Sequence, residues 1–231
     1  MNPDTIQPLM VTAAVLPIKT YARAKQRLSE AVGVPDRRSL AEAMVGDVLD
    51  VLPSITGLDR VIVVTAEPSA AAAARAAGAD VVHDPHEAGQ SAAALIGVRA
   101  ALEAGAERVL LVPGDCPALD PGEIAGLLAR SSHAGVVIVP DRHGAGTNAL
   151  LLSPPDVIEP SFGPGSFARH AARAHAAGTK VRVAEVRSLG LDIDTPEDLH
   201  TLHEALASRP GVAPRTRALL ARMLSAASAT G

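Results

Sequence analysis

The feature that most constrains this chain is a series of short, continuously apolar runs separated by Ala- and Leu-rich stretches of helical length. Val61-Ile62-Val63-Val64 and Val109-Leu110-Leu111-Val112 are the clearest runs. A strand with one face in water alternates apolar and polar residues, whereas an unbroken run must bury both faces. Such strands require helices above and below a mainly parallel sheet. Strands are expected at residues 12–18, 60–65, 80–83, 108–113, 135–140, 149–152 and 181–186. Helices are expected between them at 37–52, 68–78, 90–103, 121–130 and 166–177. In the first helix Leu40, Met44, Val45, Val48, Leu49 and Leu52 recur at helical spacing and form an apolar stripe. Thr195-Pro196-Glu197-Asp198 opens another helix, with Thr at the N-cap, Pro in the first turn and acids at the positive end. The β-α alternation predicts an open α/β sandwich, a mixed but mainly parallel sheet between helices. No internal repeat or linker interrupts it. One domain is expected over residues 1–207, with a short helix at 215–224 and a frayed tail within 208–231.

Composition removes several kinds of function. The net charge of −4 is the wrong balance for wholesale nucleic-acid binding, which shows as a basic footprint. Tyr21, Phe162 and Phe167 are the only aromatic residues, too few for a base-stacking platform. The single cysteine, Cys116, excludes an internal disulfide framework and a cysteine-based zinc cluster, and reads as a small packed residue. No apolar run reaches the roughly 18 residues of a membrane span, and residues 1–10 lack the pattern of a secretory signal. A cytoplasmic protein without membrane or nucleic-acid partners is expected. Homo-oligomerisation is left open.

Several constellations carry chemistry. Lys19 closes the first strand, and Arg23, Lys25 and Arg27 follow it. That cluster reads either as a seat for a triphosphate or as a solvated basic face. Gly114-Asp115 ends an apolar strand, which puts Asp115 at the carboxyl edge of the sheet, where open α/β sheets bind ligands. In the extended segment Asp192-Ile193-Asp194 the two carboxylates point the same way while Ile193 faces the core. Two carboxylates on one face repel unless a cation lies between them. With Asp115 they suggest an oxygen-only site suited to Mg²⁺. Residues 161–170 form a Gly/Pro loop entering a helix, where Ser166, Arg169 and free N–H groups could hold an anion. The histidines, including His143 and His170, lack metal-ligand spacing and read as surface or turn residues. Gly144-Ala145-Gly146-Thr147-Asn148-Ala149 has the form of a dinucleotide fingerprint, but Leu150-Leu151-Leu152 and two prolines follow it. It therefore reads as a turn into a strand rather than a strand into a helix.

The order of these motifs resembles the family of 2-phospho-L-lactate and phosphoenolpyruvate guanylyltransferases of deazaflavin coenzyme biosynthesis. The likeness spans residues 12–205 and is carried by Pro17-x-Lys19, Lys25-x-Arg27-Leu28, Gly114-Asp115-x-Pro117, Asp141 with Gly146-Thr147-Asn148, Phe162-Gly163-Pro164-x-Ser166-x-x-Arg169-His170 and Asp192-Ile193-Asp194-Thr195-Pro196. The resemblance implies a nucleotidyltransferase fold of the glycosyltransferase-A type. It implies a reaction of GTP with a small phosphorylated carboxylic acid, releasing pyrophosphate. By motif position Asp115, Asp192 and Asp194 would hold Mg²⁺, and Lys19, Lys25 and Arg27 would face the triphosphate. Thr147, Gly163 and Ser166 would cradle the carboxylate end of the acceptor. Where the family pattern has Gly-Leu-Asn at the start of the third helix, this chain has Gly89-Gln90-Ser91. Two other readings share the features: a related transferase acting on molybdopterin or a sugar phosphate, and a non-catalytic nucleotide-binding protein.

Overall fold

Strands β1 (Thr12–Ile18), β2 (Arg60–Thr65), β3 (Asp80–His83), β4 (Arg108–Leu111), β5 (Gly135–Pro140), β6 (Thr147–Ser153) and β7 (Val181–Val183) form one sheet in the order β3-β2-β1-β4-β6-β5-β7. The computed structural model describes residues 10–23, 28, 33–131, 135–190, 193 and 195–229. Every pairing is parallel except those of β6, which runs antiparallel between β4 and β5. The helices are α1 (Val34–Val51), α2 (Pro68–Ala76), α3 (Gln90–Glu103), α4 (Pro121–Ala129), α5 (Ser166–Ala176), α6 (Pro196–Ala207) and α7 (Pro214–Ala229).

The continuous apolar runs bury both faces, as their pattern requires. On β1, Ala14, Leu16 and Ile18 pack with Val45, Val48 and Leu49 of α1 and with Ile124 and Leu127 of α4. The alternate residues Ala13 and Val15 pack with Ala93, Ala94 and Val98 of α3 and with Ala174 of α5. Each fully buried aliphatic side chain contributes on the order of 1.5–3 kcal/mol.

Helix α3 lies close enough to the sheet that one position tolerates no side chain. A Cβ at Gly97 would stand 2.2 Å from Val15 Cγ1 and 3.0 Å from Val64 Cγ2. Alanine gains about 1 kcal/mol over glycine in helix propensity, but overpacking a tight core costs about 1–3 kcal/mol or more. Because valine is stiff at χ1, Val15 cannot turn aside cheaply. Gly97→Ala is therefore expected to lower the denaturation midpoint. A midpoint at or above that of the parent protein would show that α3 can lift off β1 without cost.

Four strand ends differ from the sequence expectation: β6 runs one residue further, to Ser153, and the other three have a local reason. Strand β4 stops at Leu111 rather than 113, with Val112 N still donating to Val15 O at 3.0 Å. Pro113 has no N–H to continue the ladder. Strand β6 starts two residues early because it closes a hairpin with β5, and the register slips by one residue there, Pro140 facing Thr147 while Val139 faces Ala149. Asn148 is the extra residue of that bulge, and its amide donates to Leu189 O at 2.6 Å. Strand β7 ends at Val183, opposite Ile138, where β5 is about to run into Pro140. The glycine-rich turn before Thr147 is thus a hairpin turn.

The expected short helix and frayed tail need correction. Helix α7 runs from Pro214 to Ala229. It shares a core with α1 and α6 through Leu219, Leu220, Leu40, Met44, Leu202 and Leu206. The buried carboxylate of Asp47 on α1 accepts from Arg215 N at 3.1 Å and Thr216 N at 2.8 Å, satisfying the first turn of α7. The segment after residue 207 is therefore built onto the domain.

Candidate active site

The sheet order places a switch point between β1 and β4. The chain runs outward through β2 and β3 with α1 and α2 on one face, then crosses by α3 on the other face to β4. Crevices at such points, outside the carboxyl ends of the strands, are where α/β sheets bind ligands. Here the crevice is a cleft of about 190 Å³. It brings together Lys19 from the end of β1, Gly114 and Asp115 from the end of β4, and Gly89 and Gln90 at the start of α3. Lys19 is exposed and Asp115 half-buried, so cation and carboxylate both reach the opening. The N-terminus of α3 adds partial positive charge to the same wall, which suits an anionic ligand.

Two acidic residues in the cleft are committed to holding its shape. Asp84 Oδ1 accepts from His86 N at 3.3 Å and Glu87 N at 3.0 Å. Glu87 Oε1 accepts from Thr20 N at 3.1 Å and from the Thr20 hydroxyl. The loop after β3 is thereby pinned to the segment after Lys19. On the adjacent wall Tyr21 is buried, with its N–H on Glu67 Oε2 at 3.0 Å. Burial, then the charges of Glu42 and Glu67, push its phenol pKa well up, so it stays neutral.

A second group of sequence-predicted residues, the candidate acceptor seat, lies toward β6 and α5. Thr147 opens β6 and is buried, as are Ser166 and His170 on one face of α5. The loop between carries Gly163 at φ +102°, a conformation that L side chains rarely adopt, and Gly163 O accepts from Ser166 N at 3.0 Å. Phe162 N donates to Ser91 Oγ at 2.8 Å, which ties this loop to the start of α3 in the first cleft. Phe167 N donates to Ala145 O at 3.2 Å, tying it also to the β5–β6 hairpin. Ser166 Oγ is buried with no hydrogen-bond partner among the described residues. An unmet buried hydroxyl costs about 1–3 kcal/mol, so this group has hydrogen-bonding capacity to spare.

The sequence expectations fare unevenly. Lys19 and Asp115 share the first cleft; Thr147, Gly163 and Ser166 belong to the second group. Lys25, Arg27, Asp192 and Asp194 lie outside the described residues. Their described neighbours are well held. Ile193 is buried with Ala118, three residues past Asp115. Asp198 accepts from Thr195 N at 2.7 Å and pairs with Arg142 of the β5–β6 hairpin.

Three expectations are corrected. Arg169 is taken up by its own loop rather than left open for an anion. Its Nε donates to Ser161 Oγ at 3.0 Å, its Nη2 to the carbonyls of Ser161 and Phe162, and its Nη1 to Pro164 O. It braces the loop. Nor are the first N–H groups of α5 an open cradle, since those of Ser166 and Phe167 are already bonded within the protein. His170, expected at the surface, is fully buried with partners on both ring nitrogens. The signal was its spacing, four residues after Ser166 and four before Ala174 on one helix face. Cys116 is buried as expected, its thiol 3.3 Å from Leu189 O.

A doubly covered, mostly parallel sheet with its cleft at the β1/β4 switch point is the architecture of a nucleotidyltransferase. Two solved structures superpose on it. A nucleotide-diphospho-sugar transferase from Desulfovibrio desulfuricans does so with a TM-score of 0.74 at 17% identity, covering 91% of this chain and 94% of that one. A nucleotidyl transferase from Methanothermobacter gives 0.62 at 21% identity, covering 86% and 98%. The chain belongs to the guanylyl transferase CofC-like family, whose model matches residues 12–205. It is similar to the phosphoenolpyruvate guanylyltransferase of Conexibacter woesei, 50% identical over 217 residues, covering 93% of this chain and 97% of the relative. It also resembles the 3-phospho-D-glycerate guanylyltransferase of Phenylobacterium zucineum, 38% identical over 189 residues, covering 80% and 86%. Among the described residues no helix is long and apolar enough to cross a membrane.

Proposed function

We propose that this chain transfers the guanylyl group of GTP to the phosphate of a small phosphorylated carboxylic acid, phosphoenolpyruvate foremost, releasing pyrophosphate. The reaction belongs to deazaflavin coenzyme F-420 biosynthesis in the cytoplasm. The observation that supports this reading is a cleft with Lys19 and Asp115 at the switch point, tied through the Ser91–Phe162 hydrogen bond to the loop that leads into Ser166.

The chemistry suits these residues. A phosphate oxygen of the acid attacks the α-phosphorus of GTP, a new P–O bond forms, and the bond to the bridging oxygen of pyrophosphate breaks. The attacking oxygen is already deprotonated at neutral pH, so no general base is needed. What remains is to bring two anions together, which calls for alignment and positive charge. Lys19, with Lys25 and Arg27, supplies charge for the triphosphate. Asp115, with Asp192 and Asp194, would offer oxygen ligands only, a donor chemistry that suits Mg²⁺ better than softer metals. If these residues hold a divalent cation, it would supply further neutralisation of the triphosphate. Thr147, Gly163 and Ser166 seat the carboxylate end of the acid.

The test is pyrophosphate release from GTP and Mg²⁺ with phosphoenolpyruvate, 2-phospho-L-lactate or 3-phosphoglycerate, beside glucose 1-phosphate and molybdopterin. Turnover with a phospho-acid is the expected result and names the acceptor, 3-phosphoglycerate being favoured second by the Phenylobacterium relative. Turnover only with the sugar phosphate or molybdopterin would replace the acceptor class. GTP binding without any release would leave a nucleotide-binding protein.

Ser166→Ala separates affinity from stability. Losing a hydrogen bond to a charged ligand costs about 1.5–3 kcal/mol, so the acceptor KM should rise roughly ten- to a hundredfold. The same change removes an unmet buried hydroxyl, so the denaturation midpoint should hold or rise. An unchanged acceptor KM would take Ser166 out of the seat.

A further inference from the structure

Beneath the acceptor loop sits a buried group that the reaction as described leaves without a role. His170 is fully buried, and both ring nitrogens are engaged. Ser161 N lies 2.8 Å from Nε2, and Thr147 Oγ1 lies 3.0 Å from Nδ1. A backbone N–H can only donate, so Nε2 accepts and carries no hydrogen. A neutral imidazole has one N–H, which this network assigns to Nδ1, where it donates to Thr147 Oγ1. The hydroxyl of Thr147, having accepted, keeps its own hydrogen for another group.

The surroundings fix this arrangement. Arg169 holds both the carbonyl and the hydroxyl of Ser161, so the N–H that sets the tautomer cannot swing away. Phe162 packs edge-on against the imidazole with ring centroids 5.4 Å apart. Burial, then the charges of Arg173 and Arg169, lower the pKa of the ring to about 4, which keeps it neutral in the physiological range. One helical turn before His170, the hydroxyl of Ser166 is 1% exposed and has no hydrogen-bond partner among the described residues.

We propose that His170 is a positioning residue of the acceptor seat: it accepts from Ser161, donates to Thr147, and so makes the Thr147 hydroxyl an obligate donor which, with Ser166, recognises the carboxylate of the acceptor acid. The identity of that acid rests on the guanylyl-transfer reading above, whereas the orientation of Thr147 rests on the hydrogen bonds alone. A carboxylate offers only acceptors, and a Thr147 hydroxyl held as a donor reads it without a buried cation whose desolvation would have to be offset.

Two measurements on the full chain test this. Nitrogen-15 histidine spectra of the ligand-free protein at neutral pH should show His170 protonated at Nδ1 and bare at Nε2. The opposite tautomer, or an imidazolium, would overturn the proposal. A double-mutant cycle then reads the coupling. His170→Gln places an acceptor for Ser161 where Nε2 stood but leaves Thr147 undirected, and Thr147→Val removes the hydroxyl. Each should raise the acceptor KM about tenfold while the GTP KM stays within about twofold. The double variant should be no worse than Thr147→Val alone, and His170→Asn, which can donate from the Nδ1 position, should recover part of the loss. Additive effects, or an equal rise in the GTP KM, would make His170 merely structural and overturn the proposal. A wild-type protein that transfers no guanylyl group would instead overturn the function reading, and the tautomer would still decide the orientation of Thr147.

Discussion

Asp115→Asn is expected to lower kcat by about a hundredfold or more while leaving the protein folded. The substitution keeps shape and one oxygen but removes the charge, at the cleft where the proposed reaction would bring a triphosphate and its cation. Removing a single preorganised electrostatic contact of this kind costs about 10²–10³ in kcat. Because Asp115 is half-buried at the cleft mouth, the neutral isostere should shift the thermal midpoint little. A role in holding Mg²⁺ adds a second signature. The variant should need a higher Mg²⁺ concentration to reach half its own maximal rate. Wild-type turnover at ordinary Mg²⁺ would take Asp115 out of the metal set, and a loss of turnover with no change in Mg²⁺ demand would leave it an electrostatic or positioning role only.

Acid should destabilise the protein through His170 before most carboxylates titrate. The ring has a pKa of about 4 in the folded protein against 6.5 for the unperturbed side chain, with burial as the first cause. Between those values the unfolded chain binds a proton that the folded chain refuses, so stability rises with pH across the window. The full contribution is present above pH 6.5 and is lost as the pH falls toward 4. The difference amounts to on the order of 3 kcal/mol. Denaturation midpoints of the parent protein and of His170→Gln, measured from pH 7 to 4, isolate the histidine, since carboxylates contribute alike to both. Parallel curves would mean that the imidazole binds its proton equally well in the folded and unfolded chain, so that the bond from Ser161 N–H to Nε2 does not hold the ring neutral.

Much of the candidate site was legible before any coordinates. Lys19 and Asp115 each follow an apolar run, and a parallel strand ending in a polar residue puts that residue at the ligand edge of the sheet. Thr195 stands at the N-cap of α6 with Pro196 in its first turn, as their order suggests. The roles of Arg169 and His170 were not legible, because sequence spacing says which helix face a residue occupies and not which groups lie opposite. Arg169, one turn after Ser166, looks like an anion ligand until the loop carbonyls are seen to fill its fork. His170 looks like a solvated helix residue until β6 supplies Thr147 and the loop supplies Ser161.

The sequence by itself determined the doubly covered sheet and the edge on which chemistry can occur. Periodicity and strand ends are local properties, and a continuous apolar run has only one way to leave water. Tertiary structure decided what each polar group at that edge is bonded to. Asp47 caps α7 from 168 residues away, Asn148 leaves the β5–β6 ladder at a bulge to reach Leu189, and Thr147 meets His170 across 23 residues. A hydrogen-bond donor takes whichever acceptor the packed elements bring within about 3 Å, and only the folded chain sets that choice.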